Sequence, residues 1–230
     1  MSETNTFGPL VWDEISEKIY ELGTSQGALY VMGTDGAYLP GVAWNGLVSV
    51  KQAPEGAEPK TQYANNRKYI NMRSAENFKF SIEAFTYPDE FKACDGSKKL
   101  AEGLHVGQQN RATFGLAYAT VVGNDTEGID YGEKIHIIYG ATVAPSSRDY
   151  TTINEDPEAI MFTWEGDTTP PGLSTEMQAL GIRPTAYAEI DLTEVTPAAA
   201  TALKEKLYGS STAPAELPTL DELVTILSAE

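Results

Sequence analysis

Three stretches of this chain alternate their apolar residues with a period of two, and that pattern restricts the fold more than any other feature. Across residues 134–144, Ile135, Ile137, Tyr139, Ala141 and Val143 line one side, with His136 and Ile138 opposite. Across residues 77–87, Phe78, Phe80, Ile82 and Ala84 share one face while Lys79, Ser81 and Glu83 share the other, which ends in the aromatics Phe85 and Tyr87. Across residues 157–165, from Pro157, the residues Ile160, Phe162 and Trp164 alternate with Met161 and Thr163. Successive side chains of a strand point to opposite faces, so each stretch reads as a strand with a buried face. Further strands are expected at 27–32, 42–50, 67–73, 113–122 and 185–190, separated by Gly, Pro, Asn and Asp. The expectation is a mainly β chain.

Helices are few. Thr196 and Pro197 open a segment that Gly209 closes, an N-cap, a proline at the first helical position and a terminating glycine in the right order. Ala199, Leu203 and Leu207 fall four apart on one face, so this helix should lie against a sheet. A short helical turn is expected at 88–94. After a spacer rich in Ser, Thr, Ala and Pro, Thr219 opens a last helix with Leu220, Leu223 and Leu227 as an apolar stripe. Such a tethered helix docks on a neighbouring molecule or folds back on its own domain, and the sequence allows either. The parse is one β domain over residues 1–209, with residues 1–26 as an N-terminal arm, and a C-terminal linker and short helix over 210–230.

Residues 51–66 are polar, carry Pro54, Gly56 and Pro59, and lie between two strands. Ordinary hairpin loops run about 2–5 residues, so a longer one is either functional or a mobile surface excursion.

The acids outnumber the bases by 33 to 16, for a formal net charge of -17. That balance argues against gripping nucleic acid through its phosphates, which requires Lys and Arg. No apolar run reaches the roughly 18 residues of a membrane helix, and the N-terminus has neither a basic region nor an apolar one, so no membrane role is expected. The single cysteine, Cys94, has no intramolecular partner, which fits a reducing compartment.

Catalytic signals are weak. His105 and His136 belong to no Ser-His-Asp or Cys-His pattern, and Cys94 has no neighbouring base in sequence. Asn124, Asp125, Glu127 and Asp130 cluster oxygen ligands as calcium would want, but without the EF-hand spacing; turn formation explains the same residues. No enzyme activity, cofactor or metal is expected. Two carboxylates could serve a glycosidase, yet the sequence nominates no pair. A carbohydrate-binding β-sandwich module is the competing class, with Trp12, Trp44 and Trp164 the residues to inspect.

Several strings add a family resemblance. GQQ-x-R, FGLAYAT, GNDTEG, KIHIIYGA and TIN-x-x-PEA-x-x-F-x-W lie between Gly107 and Trp164. YELG-x-x-x-GALYV, GVAWNGL and SAE-x-F-x-x-x-IEAFTYPDEF-x-x-CDG lie upstream, so that about three quarters of the chain is involved. These resemble the major tail tube protein of long, non-contractile-tailed phages and related prophages. The resemblance implies a β-sandwich or barrel-like fold with one flanking α-helix, a long stacking loop and extended N- and C-terminal arms. It implies hexameric rings stacked into a tube, assembled in the host cytoplasm as part of a virion. Tape-measure, tail tip and tail terminator proteins would be partners, and DNA would pass through the lumen without specific binding. On this reading Pro54, Glu55, Glu58, Lys60, Tyr63 and Asn65 belong to the ring-stacking loop. Glu83, Asp125, Glu127 and Asp130 are lumen candidates, and Leu220, Leu223 and Leu227 form a docking helix.

Overall fold

The computed structural model describes residues 10–153 and 158–228. In chain order its elements are β1 (Tyr20–Val31), β2 (Val42–Ala43), β3 (Leu47–Gln52), β4 (Glu55–Gly56), β5 (Pro59–Ala64), β6 (Arg67–Arg73), β7 (Glu76–Asn77) and β8 (Lys79–Ala84). There follow α1 (Phe91–Cys94), β9 (Lys98–Ala101), β10 (Leu104–Val106), β11 (Phe114–Asn124), β12 (Gly128–Val143) and β13 (Phe162–Thr168). The chain then forms α2 (Thr175–Ala179), β14 (Tyr187–Asp191), α3 (Pro197–Tyr208) and α4 (Leu220–Leu227).

Eight strands make one sheet, in the order β2-β1-β11-β12-β13-β8-β3 with β14 also on β12. Every pairing in it is antiparallel. Among the described residues the strand path runs open from β2 to β3, so the architecture is sandwich-like and not a closed barrel.

Alternate residues of the central strands feed two cores. Leu29, Leu116 and Ile138 face Phe80, Ile82 and Trp164 in the first. Ala28, Tyr30, Ala117, Ile135 and Ile137 face α3 and α4 in the second. The first core is aromatic, with Phe91 edge-on to Trp164 at 5.0 Å and Trp44 at 5.9 Å from the same indole. Asp95, beyond α1, accepts a hydrogen bond from Trp164 Nε1 at 3.0 Å and pairs with Arg148. Its nearly buried carboxylate is therefore satisfied on both oxygens.

The alternation across 134–144 does not run straight through. Ile135, Ile137 and Tyr139 lie in the second core, but Ala141 and Val143 lie in the first. The cause is Gly140, with φ +58, where the register slips: Leu116 pairs with Ile138 while Phe114 pairs with Ala141. One inserted residue reverses the parity of everything after it. At the same point the other edge of β12 changes partner, from β14 opposite Lys134 to Ile138 to β13 opposite Ala141 to Val143.

Helix α3 forms as its sequence predicts. Thr196 Oγ1 accepts from the Ala199 N–H at 3.2 Å, and Ala199, Leu203 and Leu207 are buried against the sheet. Each leucine so covered contributes roughly 1.5–3 kcal/mol. The following spacer is fastened at several points. Gly41 N–H donates to Ala215 O at 2.8 Å, Glu216 N–H to Lys206 O at 2.8 Å, and Tyr139 Oη–H to Pro218 O at 2.8 Å. A capping box between Thr219 and Glu222 starts α4, whose Leu223 is buried and whose Leu220 and Leu227 are half-buried in the second core. Of the two positions open to this helix, the structure shows it on its own domain.

Two other elements differ from the sequence reading. The strand expected over 42–50 is divided by a turn at Asn45 and Gly46, the latter with φ +74, so that β2 pairs with β1 and β3 with β8. The Trp44 side chain enters the first core, its Nε1–H donating to Thr86 O at 3.0 Å. In the expected N-terminal arm, residues 20–26 belong to β1 and pair with β11 through two register shifts, while 10–19 form no helix or strand. Residues 1–9 of that arm, residues 229–230 of the expected C-terminal segment, and Pro157 at the start of the third alternating stretch lie outside the described residues.

Candidate functional site

The expected loop over residues 51–66 is instead the outgoing half of a protruding ribbon. Lys51 and Gln52 end β3, Glu55 and Gly56 pair with β7, and β5 pairs with β6. Asn65 and Asn66 join β5 to β6 as a two-residue turn with φ +51 and +59, the pattern of the tight hairpin turn that matches strand twist. Twelve residues from Ala53 to Ala64 reach at most about 40 Å when extended. Sequence reasoning missed this strand because neither of its faces is buried, so no alternation marks it.

The hairpin formed by β5 and β6 is bare on both sides. All of its residues are exposed except Thr61, which is half-buried. Tyr63 is 73% exposed, Tyr69 77%, Met72 57% and Ile70 48%. An isolated two-stranded hairpin is marginal in water, and here its cross-strand support includes Thr61 Oγ1 donating to Asn71 Oδ1 at 2.6 Å. Of the expected stacking residues, Lys60 and Tyr63 lie in β5 and Asn65 is the first turn residue. Pro54, Glu55 and Glu58 sit nearer the root, where Glu55 pairs with Lys79 at 2.7 Å.

The lumen candidates fall in two places. Glu83 lies in β8, half-buried, and accepts from Ser49 Oγ at 2.9 Å. Asp125, Glu127 and Asp130 are exposed at the β11–β12 turn. No hydrogen bond or ion pair joins Glu83 to that turn among the described residues. Within the turn, Asn124 Oδ1 accepts from Thr126 N–H at 3.1 Å and Glu127 N–H at 2.6 Å, which is a turn-forming use of the side chain. Among the described residues no three His, Cys, Asp or Glu side chains converge as a metal site would require.

His136 proves to be the centre of a buried polar cluster. Its Nε2 lies 2.8 Å from Thr120 Oγ1 and its Nδ1 2.7 Å from Tyr187 Oη. Thr120 in turn reaches Glu21 at 2.6 Å, and Tyr187 reaches Glu189 at 3.0 Å. The imidazole stacks on Tyr118 with centroids 4.8 Å apart. Burial pulls His136 below its ordinary range, against the opposite pull of Glu21 and Glu189. A cleft of 430 Å³ opens beside it, lined also by Gln52 and Val50. These contacts tie β1, β11, β12 and β14 together. His105 is exposed in β10, remote in the pairing from this cluster.

Cys94 is fully buried in the first core, where burial pushes its thiol up to about 12. Trp44 and Trp164 are also core residues, which leaves only Trp12, 74% exposed, of the three tryptophans considered for sugar binding.

The fold and its surfaces define a mainly β, sandwich-like domain that carries a long exposed ribbon. No family model and no curated protein matches the chain. Among solved structures it is similar to a chain in a cryo-EM structure of the anti-feeding prophage baseplate, six-fold symmetrised, with a TM-score of 0.35 and 8% identity. That match covers 74% of this chain and 95% of the other. A likeness of this size assigns neither a family nor a role. No helix among the described residues is long and apolar enough to cross a membrane.

Proposed function

We propose that this chain is a structural subunit of a phage-type tail, assembling into stacked hexameric rings that form a tube for DNA. The observation that carries the reading is the hairpin of β5 and β6, bare on both faces and rich in exposed Tyr, Ile and Met. A monomer gains nothing from holding such a ribbon in water, whereas a neighbour that covers it supplies the missing interface. The tail tube strings in the sequence point the same way; of them, FGLAYAT lies in β11 and KIHIIYGA in β12, at the centre of the large sheet.

The acid excess also acquires a role. Carboxylates around a lumen repel phosphate over about a Debye length, near 8 Å at physiological salt, so DNA slides without sticking. On this reading the protein is an assembly part of a virion and not an enzyme, and tape-measure, tip and terminator proteins are its partners.

The test replaces residues 59–73 by a two-residue Asn-Gly turn. The expected result is a far-UV circular dichroism spectrum close to the parent's, apart from the lost hairpin. Hollow tubes or six-membered rings should form on concentrating the parent and not the variant, as read by negative-stain electron microscopy and light scattering. Normal tubes from the shortened chain would sink the stacking role.

A further inference from the structure

The charge of the chain is unevenly distributed. Residues 59–73 hold four bases, Lys60, Arg67, Lys68 and Arg73, and no acid, in a chain whose net charge is -17. Elsewhere the fold brings two acidic segments together. Residues 10–19 contribute Asp13, Glu14 and Glu17, and the β11–β12 turn contributes Asp125, Glu127 and Asp130. Ser16 N–H donates to Asp125 Oδ1 at 2.9 Å, and Tyr20 pairs with Gly123 just behind, so the two segments form one surface. Its one base, Lys18, lies 3.8 Å from Asp125 and is already answered.

The same surface is apolar as well as acidic. Trp12 is 74% exposed, Ile15 77%, Ile19 59% and Ile129 62%. Hairpin and surface are therefore complementary in both respects: the hairpin carries bases with exposed Tyr63, Tyr69 and Met72, and the surface carries acids with exposed Ile and Trp. Among the described residues no hydrogen bond or ion pair joins the two within one molecule. Two different, complementary patches on one chain make a head-to-tail contact, which yields closed rings or open filaments and not a two-fold dimer.

We infer that a second copy of this chain covers the hairpin, docking it on the surface made by residues 10–19 and the β11–β12 turn. This rests on the stacking role proposed above and names the receptor for it. It also moves Asp125, Glu127 and Asp130 from the lumen to the contact between copies.

Disulfide capture in the full-length protein tests the pairing. Tyr63→Cys and Ile129→Cys variants are mixed in equal amounts at low salt with a mild oxidant; Cys94, fully buried, does not compete. The expected product is the mixed 63–129 dimer, several-fold above both like pairs. Raising the salt to about 1 M, where the Debye length is near 3 Å, should cut it several-fold. A protein carrying both cysteines should give a ladder of higher oligomers. Mixed dimer no more abundant than the like pairs, or no capture at position 63, overturns the inference. If the hairpin is needed for tubes but Ile129→Cys stays unlinked, the receptor is wrong and the stacking role stands. If tubes form without the hairpin, the stacking role itself falls.

Discussion

Replacing Gly140 with alanine tests whether a single glycine decides which core the end of β12 enters. The left-handed φ of +58 costs a residue with a Cβ about 1–2 kcal/mol. The added Cβ would also lie 2.0 Å from Thr169 O and 3.1 Å from Thr169 C, far inside contact, so backbone must part there. Parting strains two hydrogen bonds, Thr169 N–H to Gly140 O and Gly140 N–H to Tyr38 Oη, both 2.9 Å. Each contributes about 1 kcal/mol net. Alanine narrows the unfolded ensemble, which returns about 0.4–1 kcal/mol. The expected net loss is about 2–4 kcal/mol, or roughly 5–15 °C in Tm for a chain of this size. Gly36→Ala is the control: its φ is +83, but its Cβ would meet open space, so only the backbone cost applies, under about 1.5 kcal/mol after the same offset. Urea unfolding followed by fluorescence of the buried Trp44 and Trp164 gives both values. Equal losses in the two variants, or a Gly140→Ala protein within about 0.5 kcal/mol of the parent, would refute the reasoning.

Three further outcomes are expected. Leu203→Ala, which empties a fully buried site between α3 and the sheet, should cost about 3–5 kcal/mol in the same unfolding assay, and a loss below about 1 kcal/mol would mean α3 does not close that core. His136 is held below its ordinary 6.5, so between that folded value and 6.5 the unfolded chain binds the extra proton. Its share of stability is complete above pH 6.5 and is lost as pH falls below it; His136→Gln should flatten the stability profile there, and an unchanged slope would count against the assignment. Cys94 should resist thiol reagents in the native protein and react only on unfolding, since its thiol is buried and pushed up to about 12; rapid native labelling would contradict its place in the first core.

Much of the fold was legible in the sequence, because strands such as β8 and β13 bury one face and a buried face leaves a period-two trace. Phe80, Ile82 and Ala84 meet in the first core as their spacing required, and Ala199, Leu203 and Leu207 cover the sheet as theirs did. What remained illegible was of two kinds. Strand β5 leaves no trace, since both its faces meet solvent and only its pairing with β6 makes it a strand. The parity of β12 changes at a glycine whose left-handed turn is set by the chain opposite, so the line through Ala141 and Val143 could not be followed from spacing alone.

The candidate surfaces divide in the same way. Local chemistry alone determined the elements: the caps of α3 and α4, the turn made by Asn124, and the acid excess that argues against phosphate binding. Tertiary structure decided what lies together. It brought residue 16 beside residue 125 across 109 positions, buried His136 between strands distant in sequence, and laid α4 on its own domain. The reason is physical: caps and periodicity act over a few residues, whereas a surface, a buried ion pair or a docked helix depends on where the whole sheet carries the chain.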